Sequence, residues 1–317
     1  VEAFQPDQNT VLTAERQSLT YKYLVVAPGI QIDWNKIDGL TETLGKNGVC
    51  SNYSKDTVKK TWEFLQAFSG GQAIFTFPNT PIKCAGAPQK IMYLAEHHFR
   101  NRGIREQSQI TFASAGGKIF GVTKYADALS KIIAERDIKT LFQHNLVAVD
   151  GANKRATFDN LATGEKVELA FDFLHVAPPM SAPDFVKKSP LANKDGWVDV
   201  DKHTTRHNFC PNVFSVGDAS SLPTSKTGAA VRKQAPVLVS HLVADYRGKA
   251  STASYDGYTS CPLVTGYGKL ILAEFDYDGN PAETFPIDQG KERYSMYLLK
   301  KHGLPAFYWH GMLKGMA

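Results

Sequence analysis

Ala73-Ile74-Phe75-Thr76-Phe77-Pro78-Asn79-Thr80-Pro81-Ile82-Lys83-Cys84-Ala85-Gly86-Ala87-Pro88-Gln89-Lys90 contains an apolar strand, a tight loop and the opening of a helix. Residues 73–77 are β-branched or aromatic at four of five positions, which predicts a strand. Pro88 suits the first turn of a helix over 89–102, and residues 109–113 predict a second strand. Strand, helix, strand in that order is the unit of an α/β fold with a mainly parallel sheet. A nicotinamide dinucleotide site would carry G-x-G-x-x-G after the first strand. Here the turn runs Pro78 to Cys84, and two prolines deny a pyrophosphate the glycine cradle. Cys84 stands in that place instead. A helix N-terminus and Lys83 beside it favour thiolate over thiol. Free cysteine is also a common buried small residue, so the loop alone leaves both readings open.

Outward from this loop the alternation continues. Tyr21-Lys22-Tyr23-Leu24-Val25-Val26-Ala27-Pro28-Gly29 predicts a buried strand whose closing Gly29 lets backbone approach a ligand. Residues 54–69 predict an amphipathic helix with Val58, Trp62, Leu65 and Phe68 on one face. Downstream come a helix over 124–136, a strand over 139–150 and a hairpin over 155–170 that turns at Thr163-Gly164. Residues 171–179 form another apolar strand, in which His175 reads as a hydrogen-bonded core residue. The strand at 212–216 ends in Gly217-Asp218 ahead of a helix over 228–246, with Pro236 inside it. An acid at that position can accept a ligand's hydroxyls while the helix end faces its anionic part, and Gly217 clears the approach. Cys261 follows a turn-rich stretch, Asp256-Gly257-Tyr258-Thr259-Ser260. The tail from Glu292 mixes Tyr, Met, Leu, Phe and Trp with lysines at helical spacing, which suits either a membrane-interface helix or one packed on its own domain.

Composition narrows the classes. The chain has 317 residues, 43% of them hydrophobic and 21% charged, which is globular and long enough for two domains. A net charge of +5 without a dense Lys/Arg run does not predict nucleic-acid binding. Four cysteines without C-x-x-C spacing argue against a structural zinc site and a local dithiol. The chain opens in mid-hairpin at Val1-Glu2-Ala3-Phe4, so it is expected to be part of a longer protein.

Three stretches together carry a resemblance: residues 76–90 around Cys84, Gly217-Asp218-Ala219-Ser220-Ser221-Leu222-Pro223-Thr224-Ser225-Lys226-Thr227, and residues 256–267 around Cys261. They are similar to the sulfide:quinone oxidoreductase family, in its mitochondrial type and bacterial relatives. The resemblance spans essentially the whole chain. It implies tandem Rossmann-like FAD/NAD(P)-binding domains in three layers, with a small C-terminal membrane-docking region. The corresponding division is 1–45 as the first part of the FAD domain, 46–170 as the second domain with Cys84, 171–250 as the return segment, and 251–317 as the quinone and membrane region. Residue by residue, Cys84 and Cys261 match the redox pair. Asp218, after Gly217, matches the acid on the flavin ribityl chain, and Lys226 a flavin contact. Val1 falls at an adenine-proximal backbone contact, and Gly29 ends a turn beside the cofactor. Lys291 resembles a lysine near the flavin ring, and Tyr294 an aromatic that sandwiches quinone. The implied partners are FAD, hydrogen sulfide, ubiquinone or a related quinone, and a small sulfur acceptor such as glutathione or sulfite. The implied place is the membrane periphery: the mitochondrial inner membrane in a eukaryote, the plasma membrane in a bacterium. The rivals are a type II NADH:quinone oxidoreductase, which lacks its glycine fingerprint here, and a flavin-free relative that only binds sulfide or docks on membranes.

Overall fold

The computed structural model describes residues 1–316. Five strands form a wholly parallel sheet in the order Val49–Cys50, Phe173–His175, Gly71–Phe77, Ser108–Ser114, Lys139–Phe142. Helices Ala87–Asn101 and Thr123–Glu135 are the crossovers between successive strands. Successive side chains of a strand face opposite sides, and Phe75 and Ile74 show what that does here. Phe75 packs with Met92, Phe99 and Leu129 on the helical side, whereas Ile74 packs with Val149 and Phe158 on the other. That other side is covered by an antiparallel meander, His144–Asp150, Arg155–Asn160 and Lys166–Ala170. Helices, sheet and meander make three layers.

The remaining segments build a second α/β unit around Leu24–Val26, which pairs in parallel with Val213–Ser215. Ser215 Oγ donates to the Val26 carbonyl at 2.6 Å, locking the two strand ends that precede Gly29 and Gly217. Helix Gly228–Tyr246 runs without a break through Pro236, and Thr227 caps it by accepting from the Ala230 amide.

Three features differ from the expectations above. Phe173–His175 belongs to the sheet of the Cys84 unit, so the chain returns to the first unit after His175 rather than at 171. Residues 139–150 form two strands, because Gln143 takes a left-handed backbone at φ 59°. Cys261 lies within a strand, Thr259–Gly266, that pairs antiparallel with Lys269–Phe275. Pro262 is tolerated there because both strands of a two-stranded ribbon are edges.

His175 is fully buried, and burial pushes its pKa down to about 3. Its Nε2 accepts the Asn52 amide at 3.1 Å, so the neutral ring anchors the segment leading into the site. The unfolded chain binds a proton here near pH 6.5 and the native chain does not, so stability falls as pH drops through the interval between these values. Unfolding free energies from denaturant titrations between pH 6 and 4 are expected to fall by roughly 1.4 kcal/mol per pH unit through this group. The His175→Gln variant is expected to flatten that slope.

Candidate functional site

The Cys84 loop closes against the start of helix Ala87–Asn101, with the Ala87 amide donating to the Cys84 carbonyl at 2.6 Å. Cys84 itself sits at φ 86°, in the left-handed region that strains any residue with a Cβ. Its sulfur accepts a hydrogen bond from Lys90 Nζ at 3.3 Å, from the first turn of the helix. Lys83 is not the cation at the sulfur. Its backbone bridges to Lys226, and its charge acts on Asp218.

Cys261 reaches the same place from the hairpin and is buried. Gly86 makes this approach feasible, because a Cβ there would collide with Cys261 Sγ and Leu263 Cδ2. The two cysteines are not joined by a disulfide. A hydrogen bond from the Cys261 thiol holds Cys84 well below the usual thiol range, and Lys90 and Lys300 add to this against the burial penalty. The same hydrogen bond, followed by burial, pushes Cys261 well up. The pair therefore shares one proton, as a thiolate on Cys84 and a thiol on Cys261.

We expect Gly86→Ala to force the hairpin away from the helix. Overpacking of this kind costs about 1–3 kcal/mol. Urea unfolding is expected to show that loss, and alkylation of Cys84 at neutral pH is expected to slow as its thiol partner moves off.

Cys84 opens onto a cavity of about 1330 Å³ that also takes in Gly29, Tyr53, Gly217, Asp218 and Lys226. Ligand pockets typically enclose roughly 300–1000 Å³, so there is room for more than one ring system. The near wall suits a flavin. Gly29 has a left-handed backbone with open space where a Cβ would stand, so a flat ligand can lie on it. Among the described residues nothing donates a hydrogen bond to the Asp218 carboxylate, and burial raises its pKa against the pull of Lys226 and Lys83. A polyol chain would supply the missing donors. Lys226 Nζ donates to the carbonyls of Asp218 at 2.7 Å and Ser220 at 3.2 Å and lies over the Trp197 ring at 3.7 Å. Burial lowers its pKa to about 8. The amide end of helix Gly228–Tyr246 faces the same space through Thr227 and Gly228.

The far wall comes from the last part of the chain. Lys300, Phe307, Tyr308, Trp309 and Met312 line the cavity, and Leu272 and Glu274 project from the hairpin. The tail folds as short pieces, Tyr294–Leu298, a π-helical turn Leu299–Gly303 and helix Leu304–His310. No helix among the described residues is long and apolar enough to cross a membrane.

Of the residues singled out from sequence, the structure brings together Cys84, Cys261, Gly29, Gly217, Asp218 and Lys226. Val1 is exposed ahead of the first strand, and Lys291 is exposed and pairs with Asp288 at 3.8 Å. Tyr294 is exposed and stacks on Tyr297, and these three lie outside the cavity wall. Cys50 is buried with its pKa pushed up to about 12, inert by burial. Sequence reasoning missed Lys90, Lys300 and Gly86. Only Lys90, at the first turn of a helix that starts beside a cysteine, left a readable signal.

Comparison with known proteins gives this geometry a family. No protein-family model matches the chain. The chain is 52% identical over 316 residues to the mitochondrial sulfide:quinone oxidoreductase of Mus musculus, covering 99% of this chain and 70% of that protein. The chain belongs to the sulfide:quinone oxidoreductase family. The Dictyostelium discoideum mitochondrial member is 47% identical over 317 residues, with 99% of this chain and 70% of that protein covered. Among solved structures, the sulfide:quinone oxidoreductase of Aquifex aeolicus superposes with a TM-score of 0.81 at 21% identity, covering 97% of this chain and 73% of that one, and shares the tandem α/β fold. Membership of the sulfide:quinone oxidoreductase family carries a flavin cofactor with it, in agreement with the open space over Gly29 and the Asp218 carboxylate on the near wall.

Proposed function

We propose that this protein oxidises hydrogen sulfide at the Cys84–Cys261 pair and passes two electrons through FAD to a quinone. The observation that carries the reading is the meeting of Cys84 and Cys261 beside Lys90, whose Nζ lies 3.3 Å from the Cys84 sulfur, at a cavity with a polar near wall and an aromatic far wall. Mitochondrial relatives named for sulfide and quinone support it.

In the oxidised enzyme the two sulfurs form a disulfide. HS⁻ attacks Cys261, the bond between the cysteines breaks, and its electron pair leaves on Cys84 as thiolate. The added sulfur stays on Cys261 as a persulfide. A leaving thiolate with a lowered pKa departs faster, and Lys90 and Lys300 supply that lowering. FAD, when bound, would supply the two-electron acceptor between the cysteine pair and quinone. Asp218 would accept the ribityl hydroxyls, Gly29 and Gly217 would give backbone access, and Lys226 with the helix start at Thr227 would face the ring's polar edge. The apolar ring at Phe307, Tyr308 and Trp309 is the better seat for quinone than Tyr294, because those residues line the cavity and Tyr294 does not. Val1 and Lys291 enter the reading only through family resemblance.

The exposed side chains of Trp309, Leu313 and Met316, beside Lys314, suit insertion into the headgroup region of a membrane. The mitochondrial relatives favour the mitochondrial inner membrane as its place. Glutathione or sulfite would carry off the sulfane sulfur.

The test is a sulfide titration of the flavin-loaded full-length protein with decylubiquinone. The flavin absorbance should bleach with sulfide and recover with quinone, giving one quinol per sulfide. Bleaching by NADH and not by sulfide would overturn the reading.

A further inference from the structure

The hydroxyl of Tyr53 is a buried polar group for which the described residues offer no partner. The residue is 8% exposed, and its oxygen makes no hydrogen bond. Its ring packs with Ile82, Ala177 and Met180, and it lines the cavity with Cys84 and Lys90. The backbone around it is fixed from both sides: the Asn52 amide donates to His175 Nε2 at 3.1 Å, and the Tyr53 amide to Ser51 Oγ at 3.2 Å. An unpaired buried hydroxyl is less favourable than phenylalanine in the same packing. Its place in the wall of the cavity onto which Cys84 opens therefore calls for an acceptor that arrives with a ligand.

The neighbouring sulfurs indicate which one. Burial and then the negative charge on the cysteine pair push the phenol's pKa well up, so it keeps its proton and stays a donor. Neither sulfur takes that hydrogen bond. The donor thus stands close to the pair, short of contact.

We propose that Tyr53 donates a hydrogen bond to the sulfur atom that the substrate adds to the cysteine pair. This rests on the sulfide-oxidising reading above. When HS⁻ attacks, the Cys84–Cys261 bond breaks, Cys84 leaves as thiolate, and a new S–S bond joins the incoming sulfur to Cys261. The added atom keeps the substrate's proton or, after losing it to water, carries a negative charge. Lys90 is engaged with Cys84, so the added sulfur takes its hydrogen bond from Tyr53. The phenol proton is shared and not transferred. Hydrogen bonds to a charged acceptor are the strong ones.

The experiment compares full-length, flavin-loaded wild type with Tyr53→Phe. Tyr93→Phe is the control, because Tyr93 also buries an unpartnered hydroxyl but lies against Arg136, away from the cavity wall. Without sulfide, Tyr53→Phe should melt at or above the wild-type temperature and keep the wild-type flavin spectrum. With sulfide, its kcat/KM should fall about tenfold, the worth of one charge-assisted hydrogen bond. The cyanolysable sulfur left on the enzyme after one turnover without acceptor should fall with it, while Tyr93→Phe matches wild type on both. Unchanged sulfide kinetics and persulfide yield would overturn the proposal. So would a shifted flavin spectrum before sulfide is added, which would assign the hydroxyl to the cofactor, or an equal loss in Tyr93→Phe. Wild type is titrated first: failure there removes the sulfide-oxidising reading itself, whereas a working wild type with an unaltered Tyr53→Phe removes this proposal alone.

Discussion

Cys84→Ser is expected to abolish sulfide-dependent quinone reduction, lowering turnover by roughly three orders of magnitude or more, because an alcohol neither forms the exchangeable S–S bond nor leaves as a stable anion. The measurement is the steady-state rate with sulfide and decylubiquinone in the full-length enzyme, alongside the flavin spectrum and melting temperature. Cys84 is only partly buried, so both of those should stay near wild type. Cys261→Ser should lose activity equally. It should also lose stability, since it places a hydroxyl among Leu263, Ile271 and Ala273 in the apolar core. Leaving such a group unpaired costs about 1–3 kcal/mol. Cys261→Ala separates the two effects, being inactive with better packing of the same core. Substantial activity in any of the three would remove the paired-cysteine mechanism.

Lys90→Met has the next largest consequence. Among the described residues Lys90 is the cation that hydrogen-bonds the Cys84 sulfur, and its own pKa is raised, the sulfurs' charge outweighing burial. With Cys84 depressed and Lys90 raised, the ion pair is fully formed between the two values. Its stabilising effect through Cys84 is complete above the unfolded thiol's pKa and is lost as pH falls through the folded one. Removing the ammonium lifts the thiolate's pKa, so alkylation of Cys84 by iodoacetamide, followed by peptide mass spectrometry, should shift its midpoint to higher pH. Each unit of upward shift costs about tenfold in thiolate population at pH values below both midpoints. Sulfide turnover at pH 7 should fall in proportion, and Lys90→Arg should recover part of both. An unchanged alkylation profile would mean that Lys300 and the Cys261 thiol suffice.

The parts of this molecule legible in sequence are those whose signal is local. The strand-loop-helix at 73–90 and the Gly217-Asp218 turn ahead of a capped helix carry their geometry in adjacent residues, and the structure has both. Cys261 was harder, because Gly257 and Pro262 read as a turn, while a two-stranded ribbon accepts a proline in mid-strand. The cation at the sulfur could not be chosen by adjacency. Lys83 is nearer in sequence, but the bridge to Lys226 fixes its backbone, and the helix brings Lys90 round to face the sulfur. Lys300 and Tyr53 reach the site only through tertiary packing across 216 and 31 positions from Cys84, and no pattern in either neighbourhood announces them. His175 did read as a core residue, and the structure adds what it holds, the Asn52 amide.

The left-handed backbone at Cys84 sets function against persistence. A glycine there would relieve strain that a side chain with a Cβ imposes. The proposed leaving thiolate therefore occupies a position where its own loss is rewarded in folding. A lineage no longer exposed to sulfide would shed this cysteine readily, and a stability screen blind to chemistry would discard it early.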